Sequence, residues 1–231
     1  MKTLKPFFSY FGGKWRAAPH YPEPKYDRII EPFAGAAGYS VRHYNHKVTL
    51  YEVDPLIYGL WEYLTSVRSK EIRGLPLKVK HVDDLKCCQE AKWLIGFWLG
   101  GGLSRPGKTP SAWMRGGTKP NSFWGEAIRD RIAQQVRHVR HWEVKNESYE
   151  EAHGKATWFI DPPYQEAGSA YRFKFDKYKH LGRWSKQRRG QVIVCEAEGA
   201  DWMRFKPFRT ISATKGIGRK GVSKEVIWLK G

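Results

Sequence analysis

The stretch Asp161-Pro162-Pro163-Tyr164 places a carboxylate and an aromatic ring on either side of two prolines. Asp161 supplies acceptor oxygens and Tyr164 a flat π face. The prolines lack N–H groups and fix φ, so the turn that joins them is stiff. One acceptor beside one stacking face suits a flat heterocycle that carries an amino group. A Pro-rich turn that only ends a strand would look the same in isolation, so the surrounding elements decide between the two.

Those elements read as an α/β domain. The turn follows Ala156-Thr157-Trp158-Phe159-Ile160, an apolar run of the buried-strand kind. In open α/β sheets, ligands bind outside the carboxyl ends of the strands. Upstream, Tyr26–Ile30 predicts a strand that runs into Glu31-Pro32-Phe33-Ala34-Gly35-Ala36-Ala37-Gly38. Strand, small-residue turn and helix in that order form a nucleotide-binding corner. Lys47–Tyr51 predicts a second strand, ending at Glu52-Val53-Asp54-Pro55. Either acid could accept the hydroxyls of a ribose, and Asp54 also suits a helix cap. Leu56, Ile57, Leu60, Trp61, Leu64 and Val67 recur at helical spacing, and further helices are predicted over residues 84–98 and Gly125–His141. On the last of these, most of Arg129, Arg131, Arg137 and Arg140 read as a solvated face. Short strands are predicted at Trp142–Val144, Gln191–Cys195, Phe208–Ile211 and Glu225–Leu229, and residues 164–189 read as a basic loop.

Composition adds a partner. The chain has 231 residues, enough for one α/β domain with a small insertion. Its 41 Lys and Arg against 23 Asp and Glu leave a formal charge of +18, which favours a polyanion. Three cysteines, two of them adjacent, make neither a disulfide framework nor a zinc site. No signal peptide or membrane-spanning stretch is expected, so the expected location is the cytoplasm, with no metal and no membrane partner.

Four blocks, in order, resemble the Dam-like DNA adenine-N6 methyltransferases of bacteria and their phages. Tyr10-Phe11-Gly12-Gly13-Lys14 is similar to the family's N-terminal aromatic-x-Gly-Gly-Lys block. Glu31-Pro32-Phe33-Ala34-Gly35 is similar to its cofactor loop, Glu52-Val53-Asp54 with Leu60-Trp61 to its second-strand acid and helix, and Asp161-Pro162-Pro163-Tyr164 to its catalytic block. Cofactor block before catalytic block is the order of the family's alpha group. Tyr10 stands where Trp is frequent, and Glu52 where Asp is usual.

The resemblance implies a Rossmann-like, mostly parallel sheet with a C-terminal antiparallel hairpin. It implies a catalytic domain over residues 1–65 and 123–231, with an inserted target-recognition segment over 66–122. It also implies S-adenosylmethionine as methyl donor, and double-stranded DNA as partner in a bacterial or phage-infected cell. Tyr10, Lys14, Phe33, Gly35, Glu52, Asp54 and Asp161 would hold the donor, with Lys14 neutralising its methionine carboxylate. Asp161, Pro162 and Tyr164 would clamp a flipped adenine. Arg105, Lys108, Arg115, Lys119, Arg172 and Lys174 are the expected DNA contacts. The remaining readings are transfer to cytosine N4 or to RNA adenine, or a DNA-binding homologue without catalysis. The sequence names no restriction endonuclease partner.

Overall fold

The computed structural model describes residues 3–116, 122–165, 173–215 and 219–231. Its centre is one seven-stranded sheet. In chain order the strands are β1 (Arg28–Glu31), β2 (Lys47–Tyr51), β3 (Glu143–Lys145), β4 (Lys155–Ile160), β5 (Arg189–Ala197), β6 (Lys206–Lys215) and β7 (Arg219–Lys230). Across the sheet they lie in the order β3-β2-β1-β4-β5-β7-β6. The first five pair in parallel, whereas β7 runs antiparallel to both β5 and β6. The expected α/β sheet with a late antiparallel hairpin is therefore present. β6 and β7 run well beyond the predicted strands, so much of the glycine-rich stretch around 214–221 is strand backbone.

The strands carry apolar residues in runs because both faces of the sheet are covered. Successive side chains point to opposite faces. Ile29, Phe159, Ile193 and Cys195 join the larger core, and Ile30, Trp158, Ile160, Val192 and Val194 join the smaller. Helices α1 (Gly38–Arg42), α2 (Pro55–Ser66), α4 (Gln89–Phe97) and α6 (Glu126–Gln135) contribute to the first core. The short α3 (Ser69–Arg73) packs beside α6, and α5 (Ala112–Arg115) follows α4. Ile72, Leu75, Leu94, Ile95 and Phe97, from residues 66–122, are buried in that same core.

The second core rests on α7 (Tyr178–Gln187), a helix within the stretch 164–189 whose residues predict a loop. Leu181, Trp184 and Ser185 are buried, while Lys179, Arg183 and Lys186 are exposed. Two large apolar residues among so many cations are too sparse a signal for periodicity. The predicted helix over 84–98 is shorter, starting at Gln89, and the one after Gly125 gives way to a 3-10 turn at Val136. Arg131 departs from the expected solvated face. Its guanidinium lies 5.1 Å from the Trp98 ring centre and donates to the Pro6 carbonyl at 3.0 Å.

Candidate active site

Four carboxylates stand at the carboxyl ends of four neighbouring parallel strands. Glu31 ends β1, Glu52 follows β2, Asp161 follows β4, and Glu196 is the penultimate residue of β5. The strand order reverses between β1 and β4, where an open α/β sheet leaves a crevice. What satisfies each carboxylate decides what it can do.

Glu31 is buried and accepts the Ser40 backbone N–H at 2.7 Å, which seats the start of α1. Burial pushes its carboxyl up to about 8, against the opposing pull of Ser40. A carboxyl raised above its unfolded value carries no penalty below that unfolded value, near 4.5. The penalty for ionising it grows as pH climbs from there through about 8. Glu31→Gln keeps an acceptor for Ser40 and removes the titration. The variant should therefore gain stability over the parent between pH 5 and 8, with a limiting slope of ~1.4 kcal/mol per pH unit. Urea unfolding at several pH values checks this, and parallel curves for the two proteins would refute it.

Glu52 spans two loops. Its Oε2 accepts the Gly35 N–H and its Oε1 the Asp54 N–H, both at 3.0 Å, and burial pushes it up to about 7. Asp54 accepts the Leu56 N–H at 2.9 Å and so caps α2, with Pro55 in the first helical turn. Both acids line the same cleft, but Glu52 is the one tied to the glycine loop.

That loop is shaped by its backbone. Gly35 and Ala37 have φ of +45° and +46°, in the left-handed region. The Trp61 indole N–H donates to the Gly35 carbonyl at 2.8 Å. A Cβ on Gly38 would collide with the backbone nitrogen of Trp15, so the absent side chain lets α1 sit directly on the turn that carries Lys14. The Tyr10 ring lies against Gly35, and Phe33 stacks on Tyr149 at 5.3 Å. Together these residues enclose a cleft of about 240 Å³, rimmed by the exposed rings of Phe11 and Phe173 and by Val53.

Asp161 is satisfied differently. Its Oδ1 lies 2.9 Å from the Lys14 ammonium, which also donates to the Gly12 carbonyl at 2.9 Å. The same ammonium sits 4.7 Å from the centre of the Tyr164 ring. Burial raises the Asp161 carboxyl, while the Lys14 ammonium beside it holds it back. Pro162 is buried, and the Pro163 carbonyl accepts the Tyr178 hydroxyl at 3.0 Å, pinning the turn to α7.

Glu196 anchors the end of the Asp161–Tyr164 turn. It is fully buried and faces only donors: the Gln165 N–H at 3.3 Å, the Trp202 indole N–H at 2.9 Å and its neighbour's Ala197 N–H at 2.8 Å. Burial raises its carboxyl, and those three N–H groups oppose the rise. An acid in the middle of a buried strand was the available signal, since such a group needs partners.

Tyr10, Lys14, Phe33, Gly35, Glu52, Asp54 and Asp161 thus come together at one cleft, with Tyr164 behind Lys14. The expected DNA contacts are dispersed. Lys174 is exposed at the cleft rim. Arg105 is exposed, Lys108 pairs with Asp83 at 2.9 Å, and Arg115 bonds the Pro110 carbonyl, all away from the cleft lining. Their segment still reaches the site, because the Phe11 N–H donates to the Leu103 carbonyl at 3.0 Å. Lys119 and Arg172 lie outside the described residues. Among the described residues no cluster of His, Cys, Asp and Glu could hold a metal ion, and no helix is long and apolar enough to cross a membrane.

The strand order sets β7, antiparallel to both neighbours, between β5 and β6 at one side of an otherwise parallel α/β sheet. No protein-family model matches the chain, and no curated protein does. Two solved structures align along most of it. One is a conserved hypothetical protein of Streptococcus pyogenes, at 10% identity and a TM-score of 0.38, covering 92% of this chain and 89% of that one. The other, from Haemophilus influenzae, is provisionally described as a methylase, at 11% identity and a TM-score of 0.32, covering 93% of this chain and 83% of that one. Scores this low carry no argument about function, which rests on the site itself.

Proposed function

We propose that this protein is an S-adenosylmethionine-dependent methyltransferase acting on adenine N6 in double-stranded DNA. The observation that carries the reading is the division of labour among the four carboxylates. Glu31, Glu52 and Glu196 accept main-chain or indole N–H groups. Asp161 instead faces a flexible ammonium beside an aromatic ring, at the crevice. It is the carboxylate that can exchange its partner for an incoming amino group.

The cleft suits the donor, which when bound would supply the methyl group. The left-handed turn at Gly35 and Ala37 brings backbone close to a ligand, Glu52 offers acceptors to a ribose, and Lys14 offers a cation to a carboxylate. Asp161 and the Pro162 carbonyl would accept the hydrogens of the target amine and turn its lone pair out of the ring. Asp161 would also stabilise the positive charge that grows on that nitrogen. Extruding the base costs a few kcal/mol, on the order of what one flipped nucleotide requires. Stacking on Tyr164 returns ~1–3 kcal/mol.

The test is incubation of labelled donor with methylation-deficient DNA and, separately, with RNA, followed by digestion to nucleosides. N6-methyladenine is the expected product. N4-methylcytosine, or label found only in RNA, would replace the reading with one of the others, and no transfer at all would end it. Residues 66–122 are proposed as the target-reading segment. Because that segment is short, the target should be short or loosely specified, and methylation mapping that returned one long strict site would overturn this. With a charge of +18, DNA affinity should fall steeply with salt, by ~10³-fold or more between 50 and 200 mM if about six phosphates are contacted. A filter-binding series at increasing salt measures the slope, and a flat line would remove phosphate contact as the source of affinity.

A further inference from the structure

Lys14 occupies both halves of the device that the catalytic turn provides. Its ammonium lies within hydrogen-bond distance of Asp161, the acceptor for a target amine, and over the ring of Tyr164, the stacking face. In donor chemistry and in position, that ammonium stands where the exocyclic amine of a base would stand. We propose that Lys14 is a placeholder for the target amine, and that it vacates Asp161 and Tyr164 when a carboxylate enters the cleft, so that the base site opens only on the donor-loaded protein. The inference rests on the methyltransferase reading for the identity of that carboxylate.

Three observations make the exchange reasonable. Lys14 lines the donor cleft and also touches the catalytic turn, so one side chain reaches both sites. Its four-carbon stem is flexible, while Asp161 sits on a turn stiffened by two prolines and held by Tyr178, so Lys14 is the partner that moves. The ammonium is buried, in the field of Asp161 at 2.9 Å. A neutral ligand offers nothing to draw it out of that field. A carboxylate does, and the methionine end of the donor carries one. The result is positive coupling between donor and base without a moving domain.

The coupling can be measured without catalysis or a known target sequence. Oligo(dA) and oligo(dT) both present unpaired bases on a phosphate backbone, but thymine has no exocyclic amine. In the parent protein, saturating S-adenosylhomocysteine should tighten oligo(dA) binding about tenfold and leave oligo(dT) unchanged. 5′-Methylthioadenosine, which keeps the adenosine and lacks the carboxylate, should tighten neither. Lys14→Met, of similar length and uncharged, should bind oligo(dA) equally well with and without S-adenosylhomocysteine. Lys14→Arg should keep the discrimination, because it can make the same exchange. The proposal is overturned if S-adenosylhomocysteine has no selective effect in the parent, if methylthioadenosine matches it, or if Lys14→Met retains the coupling. A parent protein that transfers no methyl group to DNA yet shows the coupling would sink the DNA-methyltransferase reading while leaving the Lys14 exchange standing.

Discussion

Asp161→Asn should lower methyl transfer by at least ~10²–10³-fold while leaving S-adenosylhomocysteine affinity within a few-fold of the parent. The two effects separate because of what Asn retains. Its amide oxygen can still accept from the Lys14 ammonium, which now lies 2.9 Å from Oδ1, so the N-terminal turn keeps its seat. The glycine loop is held by Glu52 and Trp61, neither of which touches position 161. What disappears is the negative charge. As the target amine becomes cationic in the transition state, a neutral amide would offer only a dipole where the half-buried carboxylate offers a full charge, in surroundings where screening is weaker than in water. The ground state gains little from that charge, so the loss should fall on kcat rather than on KM for DNA. Salt-sensitive DNA binding should persist, since an anionic side chain has nothing to offer a phosphate. Single-turnover transfer and calorimetric binding of S-adenosylhomocysteine together check the split. Near-normal turnover would remove Asp161 from the chemistry. Loss of S-adenosylhomocysteine binding in step with turnover would make Asp161 a donor-binding residue instead.

How much of this was visible in the sequence depends on how local each signal is. β2, β4 and the Asp161–Tyr164 turn are contiguous, and their residue types declare them: an apolar run, then residues that cannot continue a strand. The cap at Asp54 was equally readable, because Asp followed by Pro at a helix start is a local pattern. The tie between Glu52 and the glycine loop was not local, because the Gly35 N–H reaches Glu52 from a different loop. Helix α7 was hidden because its stability comes from setting Leu181 and Trp184 against Trp158 and Trp202, not from its own charged sequence. Arg131 looked like surface and is held by Trp98 and Pro6, both far away along the chain. The partner of Lys14 was foreseen as a ligand carboxylate. The structure gives it Asp161, and that pairing depends on Gly38 letting α1 approach the Lys14 turn.

Glu196→Gln should prove nearly as damaging as Glu196→Ala, an outcome that simple isosterism would not suggest. Each carboxylate oxygen of Glu196 faces donors: Oε1 the N–H groups of Gln165 and Ala197, Oε2 those of Gln165 and the Trp202 indole. A carboxylate satisfies all of them because it only accepts. Gln must turn its NH₂ towards one side, setting donor against donor in a site with no access to water. Hydrogen bonds to a charged group contribute ~1.5–3 kcal/mol each, so losing or reversing two should cost about 3 kcal/mol or more. For a chain of this size that lowers Tm by roughly 6–12 °C. The functional cost should exceed the loss of folded protein, because the Gln165 N–H that Glu196 holds comes one residue after Tyr164. A turn released there lets Asp161 and the Tyr164 ring drift, and small misplacements at a reacting centre cost ~10²-fold in rate. Thermal unfolding, with kcat measured well below the variant's Tm, separates the two effects. If Glu196→Gln matched the parent in both, the turn would owe its geometry to the prolines and Tyr178 alone. If Tm fell while kcat held, Glu196 would support the fold without positioning the site.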